Sequence, residues 1–166
     1  KPMGNGYPVS AVVASDGVVE AFQQDSHYFN TFAGTPVACA AALAVLDVIE
    51  QEDLQANALE TENYLIDGLK EIATQTKIIG DIRGRGLFLG IDMVGEHDSR
   101  EPATEEPRLA VNLLRERGVL INFTGVYDNI LKIRPPMVFS KENADLLLHC
   151  REEVLGEVSG PANRNC

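Results

Sequence analysis

Lys1-Pro-Met-Gly-Asn-Gly-Tyr-Pro-Val9 opens the chain. A single lysine precedes a loop that holds Gly4 and Gly6 and closes on Pro8. Glycine tolerates positive φ and lets a backbone come close to a ligand. The Lys1 amine is therefore either a solvated surface charge, the usual state of a lysine, or a nucleophile toward a carbonyl. The residue types alone leave both readings open, and the choice falls to the rest of the chain.

The 166 residues suit one domain, or a small domain with part of another. A hydrophobic content of 45% is enough for a core and too high for a disordered chain. The 14 basic and 25 acidic side chains leave a net charge of −11. Such a chain has no basic stripe to neutralise phosphates, which argues against a nucleic acid or an anionic membrane as partner. Cys39, Cys150 and Cys166 are odd in number, far apart and without a CxxC pair. Neither a zinc site nor a disulfide framework is indicated, no metal is expected, and a reducing compartment fits best. Cys39 and Cys150 read as small buried hydrophobes on helices. No run approaches ~18 uninterrupted apolar residues, and the opening Lys-Pro-Met-Gly does not read as a basic-then-apolar segment.

Along the chain, residues 9–15 (Val-Ser-Ala-Val-Val-Ala-Ser) read as a buried strand. A short helix is expected over 18–23, then a loop over 25–35 rich in turn formers and aromatics. Thr35 and Pro36 suit the N-cap and first turn of a helix over 37–50. That helix is apolar all round, which predicts burial on most sides and a bridge between two domains. A longer helix follows from Asp53 to about Thr74. Leu54, Ala58, Leu65, Leu69 and Ile72 form its apolar stripe, and Glu60, Glu62, Asp67, Lys70 and Glu71 its wet side. Residues 78–94 read as two strands about a turn or bulge at Gly84 and Gly86. Residues 96–106 are charged and expected to be exposed. A helix over 107–117 stops at Gly118, strands follow over 119–122 and 130–133, and a last helix over 141–158 takes Ser140 as N-cap. Residues 159–166 read as a frayed tail. The order from residue 78 is β, β, α, β, β, α, which predicts a compact α/β layer with a mostly antiparallel sheet.

Four stretches carry a resemblance. The opening loop is similar to the lysine loop of the class-III pyridoxal-phosphate aminotransferases. Phe29-Asn-Thr-Phe-Ala-Gly-Thr-Pro36, running into the Ala-rich helix, resembles that family's Thr-Phe-x-Gly-Asn-Pro stretch, with Thr35 in the asparagine position. Ile82-Arg-Gly-Arg-Gly-Leu-Phe-Leu-Gly-Ile-Asp92 resembles its Arg-Gly-x-Gly-Leu strand entry. It reads as structural, with arginines free to pair with carboxylates between domains. Asn129-Ile-Leu-Lys-Ile-Arg-Pro-Pro136 resembles its C-terminal strand. The motifs stand in the family's order over residues 1–157. They look closest to the branch holding alanine–glyoxylate aminotransferase 2 and the phospho-lyases of phosphoethanolamine and phosphohydroxylysine.

The resemblance implies a fold-type-I pyridoxal-phosphate transferase seen from its catalytic lysine onward. Residues 1–35 would end the large cofactor-binding domain, 36–52 form the interdomain helix, 53–158 the small C-terminal α/β domain, and 159–166 a disordered tail. Pyridoxal 5′-phosphate is the implied cofactor, anchored by Lys1. Thr31 is implied to reach the cofactor phosphate of the neighbouring subunit, which makes a homodimer with shared active sites the expected assembly. A hydroxyl near a helix start is a good phosphate donor, although an ordinary turn or cap is the alternative role of this threonine. Arg134 is implied to grip the substrate carboxylate, which a guanidinium does through a bidentate fork. The implied reaction moves an amino group from an amino acid or ω-amine to a keto acid. A phospho-lyase of the same branch is the alternative, and lysine is expected at the Arg134 position there. A non-catalytic aminotransferase-like module is the third reading. A cytoplasmic location is expected, with a mitochondrial one open.

Overall fold

The computed structural model describes residues 2–96 and 98–159. Lys1, His97 and the tail from 160 to Cys166 lie outside the described residues. The chain divides into two compact units between Asp53 and Leu54.

The first unit is helical. Pro2–Gly4 form a single 3-10 turn. Its loop is closed by two backbone bonds, Asn5 N–H to Pro2 O at 3.1 Å and Tyr7 N–H to Gly4 O at 2.9 Å. Gly4 is buried, and a Cβ there would sit 2.7 Å from Val9 Cγ1. Helix α1 spans Asp16–Asp25 and α2 spans Pro36–Gln51. Thr35 takes the extended N-cap backbone with Pro36 inside the first turn, but its side chain makes no capping bond.

Two expectations fail in this unit. Residues 9–15 are not a strand, and Val12 and Val13 are 95% and 97% exposed. A strand needs a hydrogen-bonded neighbour, and no strand is present among the described residues of this unit. On α2 only Ala42 is buried, whereas Val37, Leu43, Leu46, Val48 and Cys39 are exposed. A helix apolar all round needs cover on every side, and periodicity cannot say which chain provides it.

The second unit holds α3 (Leu54–Gln75), β1 (Ile79–Arg85), β2 (Phe88–Glu96), β3 (Glu101–Pro102), α4 (Glu106–Glu116), β4 (Asn122–Thr124), β5 (Ile130–Ile133) and α5 (Lys141–Val158). The strands run in the order β1-β2-β5-β4, with β3 added to β2, and every pair is antiparallel. Alternation sends Leu89, Ile91 and Met93 of β2 and Leu131 and Ile133 of β5 into the core. They meet Leu65, Leu69 and Ile72 of α3, Ala110 and Leu114 of α4, and Leu147, Val154 and Leu155 of α5. Gly84 of β1 is paired with Leu89 of β2. A Cβ there would stand 2.3 Å from Phe88 O, so no other residue fits without moving the sheet. Ser140 caps α5 through its Oγ, which accepts from Asn143 N–H.

Four details differ from expectation. The 96–106 stretch contains β3, and Ala103 behind it is buried, because Ala103 N–H donates to Met93 O at 3.1 Å. Strand β4 begins at Asn122 rather than 119, since α4 ends in a tight turn with Val119 N–H bonded to Leu114 O. Glu62 is buried rather than wet. Among the described residues Arg83 pairs within its own sheet, 2.8 Å from Asp81 and 3.3 Å from Asp92.

Candidate active site

The expected site residues fall in different places. Lys1 itself lies outside the described residues, while the loop that follows it is the closed turn described above. Thr31 belongs to the first unit and Arg134 to the second.

Thr31 begins the turn that leads into α2. Asn30 shapes it: Asn30 Oδ1 accepts from Phe32 N–H at 3.0 Å, and Asn30 O accepts from Ala33 N–H at 3.2 Å. This is an Asx-turn, which asparagine favours because its side chain mimics a backbone carbonyl. Gly34 completes the turn at φ +68°. The Thr31 side chain is exposed, and no described residue hydrogen-bonds its hydroxyl. That donor is free for an outside acceptor such as a phosphate oxygen.

Arg134 follows the last residue of β5 and is exposed. It lines a cavity of about 300 Å³ together with Val119, Leu120, Ile133, Phe139 and Leu146 among others, all within the second unit. Three other arginines of this unit are neutralised, Arg83 by Asp81 and Asp92, Arg108 by Asp128 at 3.0 Å, and Arg117 by Glu153 and Glu157, whereas Arg85, Arg100 and Arg115 have no ion pair among the described residues. Arg134 has no ion pair among the described residues. An unpaired guanidinium beside an apolar recess suits an anionic group attached to a hydrocarbon body.

Three supporting residues escaped the sequence reading. Asn57 and Thr61 of α3 bond the carbonyls of the loop after Arg134. Glu62, one residue further, accepts Gly86 N–H at 2.5 Å and so fastens the turn between β1 and β2. A signal for them exists. Positions 57, 61 and 62 fall on the same helical face as Leu54, Leu65 and Leu69, so polar groups there interrupt an apolar stripe and need buried partners.

The donor set fits a phosphorylated aldehyde: a lysine for the aldehyde and a free hydroxyl for the phosphate. Among the described residues no group of three or more His, Cys, Asp or Glu could hold a metal ion. No helix there is long and apolar enough to cross a membrane.

Comparison with known proteins shows the family of the chain. The aminotransferase class-III family model matches residues 1–155. Alanine–glyoxylate aminotransferase 2-like of Drosophila melanogaster is 44% identical over 155 residues, covering 92% of this chain and 31% of that protein. Ethanolamine-phosphate phospho-lyase homolog 1 of Caenorhabditis elegans is 42% identical, covering 86% of this chain and 31% of that protein. Among solved structures, a phospholyase from Arthrobacter in complex with phosphoethanolamine superposes with a TM-score of 0.87 at 46% identity, over 93% of this chain and 36% of that one. An amine transaminase from an uncultivated Pseudomonas species, solved with pyridoxal phosphate bound, superposes at 0.73 with 30% identity, over 84% of this chain and 31% of its own. The chain spans about a third of the length of the curated relatives it matches. It belongs to the class-III aminotransferases, whose cofactor is pyridoxal phosphate and whose fold this chain presents in part.

Proposed function

We propose that this chain is the C-terminal part of a pyridoxal-phosphate aminotransferase that moves an amino group from an amino acid or ω-amine to a keto acid. The observation that carries the reading is Arg134, a guanidinium with no ion pair among the described residues that lines an apolar recess immediately after β5. Keto acids and amino acids share a carboxylate, and a guanidinium binds it as a bidentate fork that holds the reacting carbon in one orientation.

Lys1 would anchor the cofactor at its aldehyde, and Thr31 would donate its hydroxyl to a phosphate oxygen. The bound cofactor supplies an electron sink for the carbon beside the amino group. The Lys1 amine, once released, carries the proton from that carbon, and it needs a partly dry site to act as a base near neutral pH. Because the Thr31 contact belongs to a neighbouring subunit in this reading, we place the enzyme as a homodimer with shared sites, in the cytoplasm. Residues 1–35 would close the large domain, 36–52 link it to the small one, and 53–158 form the small domain.

A second reading has support of its own. The Arthrobacter phospholyase and the Caenorhabditis elegans lyase homologue match as well as the aminotransferase relatives do. Lys1 would then move the proton of the same carbon while phosphate leaves the neighbouring one, with Arg134 facing the phosphate instead of a carboxylate. One experiment separates them. The complete enzyme is loaded with pyridoxal phosphate, reduced with borohydride, digested and mapped. A pyridoxyl group on Lys1 is expected, and its absence there removes both enzymatic readings in favour of a non-catalytic module. Keto-acid formation from an amino donor then supports transamination, and phosphate release from phosphoethanolamine supports the lyase.

A further inference from the structure

The segment after Arg134 is held from the side by one turn of α3. Residues 135–139 leave the sheet as Pro-Pro-Met-Val-Phe and close a turn, Phe139 N–H to Pro136 O at 3.0 Å. Ser140 then caps α5. Asn57 lies across this turn. Its Nδ2 donates to Met137 O at 2.7 Å and to Phe139 O at 3.2 Å, and Thr61 Oγ1 reaches Phe139 O at 3.5 Å. Both acceptors of Asn57 are carbonyls, so the amide is fixed with its nitrogen inward and both of its protons used. On the other side, Ile133 is in register with Leu89 of β2. The Arg134 backbone is thus held between a sheet register and a pinned loop, while its side chain has no ion pair among the described residues to orient it.

The geometry points to Asn57 as a positioning residue for Arg134: its two hydrogen bonds to the Met137 and Phe139 carbonyls fix the direction from which the guanidinium meets the anionic end of the substrate. This rests on the reading of Arg134 as the anion-binding group. Thr61 is buried and makes the weaker, longer contact, so Asn57 carries most of the constraint.

The test uses the complete enzyme loaded with pyridoxal phosphate. Asn57→Ala removes both bonds. Asn57→Asp keeps the shape but sets a carboxylate against two carbonyl oxygens, and it is expected to act more strongly. Loss of one or two such bonds corresponds to about a threefold to tenfold weakening. We expect that rise in KM for a carboxylate-bearing amino donor, and in the dissociation constant of propionate read from the cofactor absorbance. kcat and the binding of propylamine, which has no carboxylate, stay within about twofold of the wild type by the same measure. In an Arg134→Ala background the Asn57 variants add nothing further. If Asn57→Asp does not fold, Asn57→Ala answers alone. Equal weakening of propionate and propylamine, or a full additional effect in the Arg134→Ala background, overturns the positioning role while leaving Arg134 in place. No weakening of propionate or of the carboxylate donor by Arg134→Ala itself overturns the reading of Arg134, and this inference with it.

Discussion

Arg151 sits on α5 with none of its surface exposed, and its Nε, Nη1 and Nη2 find no hydrogen-bond partner among the described residues. Its neighbours along the helix face are Leu147, Val154 and Leu155. Burial penalises the charged form and pulls the guanidinium down from its ordinary, higher value to about 9. Between those values the unfolded chain holds one proton more than the folded one, so stability rises with pH through that window. Below about 9 both states are protonated and the cost is fully present. Arg151→Leu is therefore expected to stabilise the second unit at neutral pH by about 1–4 kcal/mol, the gain seen when buried ionic groups are replaced by apolar ones. Urea midpoints at pH 7 and pH 10 check this: the gain should be larger at pH 7. A loss of stability at pH 7 would show that the guanidinium has a partner. Sequence alone did not reveal the residue. An arginine on an amphipathic helix usually extends to water, and nothing in its spacing marks this one as enclosed.

At the scale of elements, the second unit was legible where one face alone is buried. The stripe of α3, the alternation in β2 and β5 and the Ser140 cap are local patterns with a fixed period, and the sheet register follows from them. What was not legible depends on partners distant in sequence. Glu62 has the composition of a surface residue, but its carboxylate lies where the turn between β1 and β2 presents Gly86 N–H. The two-residue β3 is too short to leave a pattern and exists because β2 is long enough to offer an edge. Glu62→Ala leaves that amide unpaired beside a buried surface, and a bond to a charged acceptor is worth about 1.5–3 kcal/mol. The thermal or urea midpoint should fall by that amount, with Glu62→Gln losing less because it keeps an acceptor oxygen. Gly84→Ala, which forces a Cβ against Phe88 O and Leu89 Cα, is expected to cost about 3 kcal/mol or more, at the upper end for single substitutions. The amide exchange of β1 and β2 together would report it, since the clash lies between them.

The whole molecule is uneven. The second unit buries a continuous core of leucines, isoleucines and valines, whereas the first unit exposes Val12, Val13, Phe22, Phe29, Phe32, Leu43 and Leu46. Monomeric proteins rarely leave so many large apolar side chains in water without a covering surface. In the proposed enzyme that cover comes from the upstream part of the polypeptide, which would also supply a neighbour for residues 9–15, and from the second subunit. The sequence made the family recognisable here because its motifs, such as the stretches around Lys1 and Thr31, are local. It misread residues 9–15 and α2 because burial is a property of an assembly, and hydrophobicity names the need for a partner without naming the partner. Two levels of order should therefore be measurable in the 166-residue chain by itself. Amides of β2, β5 and α5 are expected to exchange slowly and to become exposed together as that unit unfolds, while those of residues 9–15 and 26–35 exchange within the time of the first measurement. In the complete pyridoxal-phosphate enzyme the same two segments become protected, and turnover appears only there. Slow exchange of residues 9–15 in the short chain would show that the segment finds a strand partner within it. Turnover by that short chain would show that the groups after Lys1 suffice for the chemistry. Either result would overturn the assignment of this chain as one part of a larger catalytic unit.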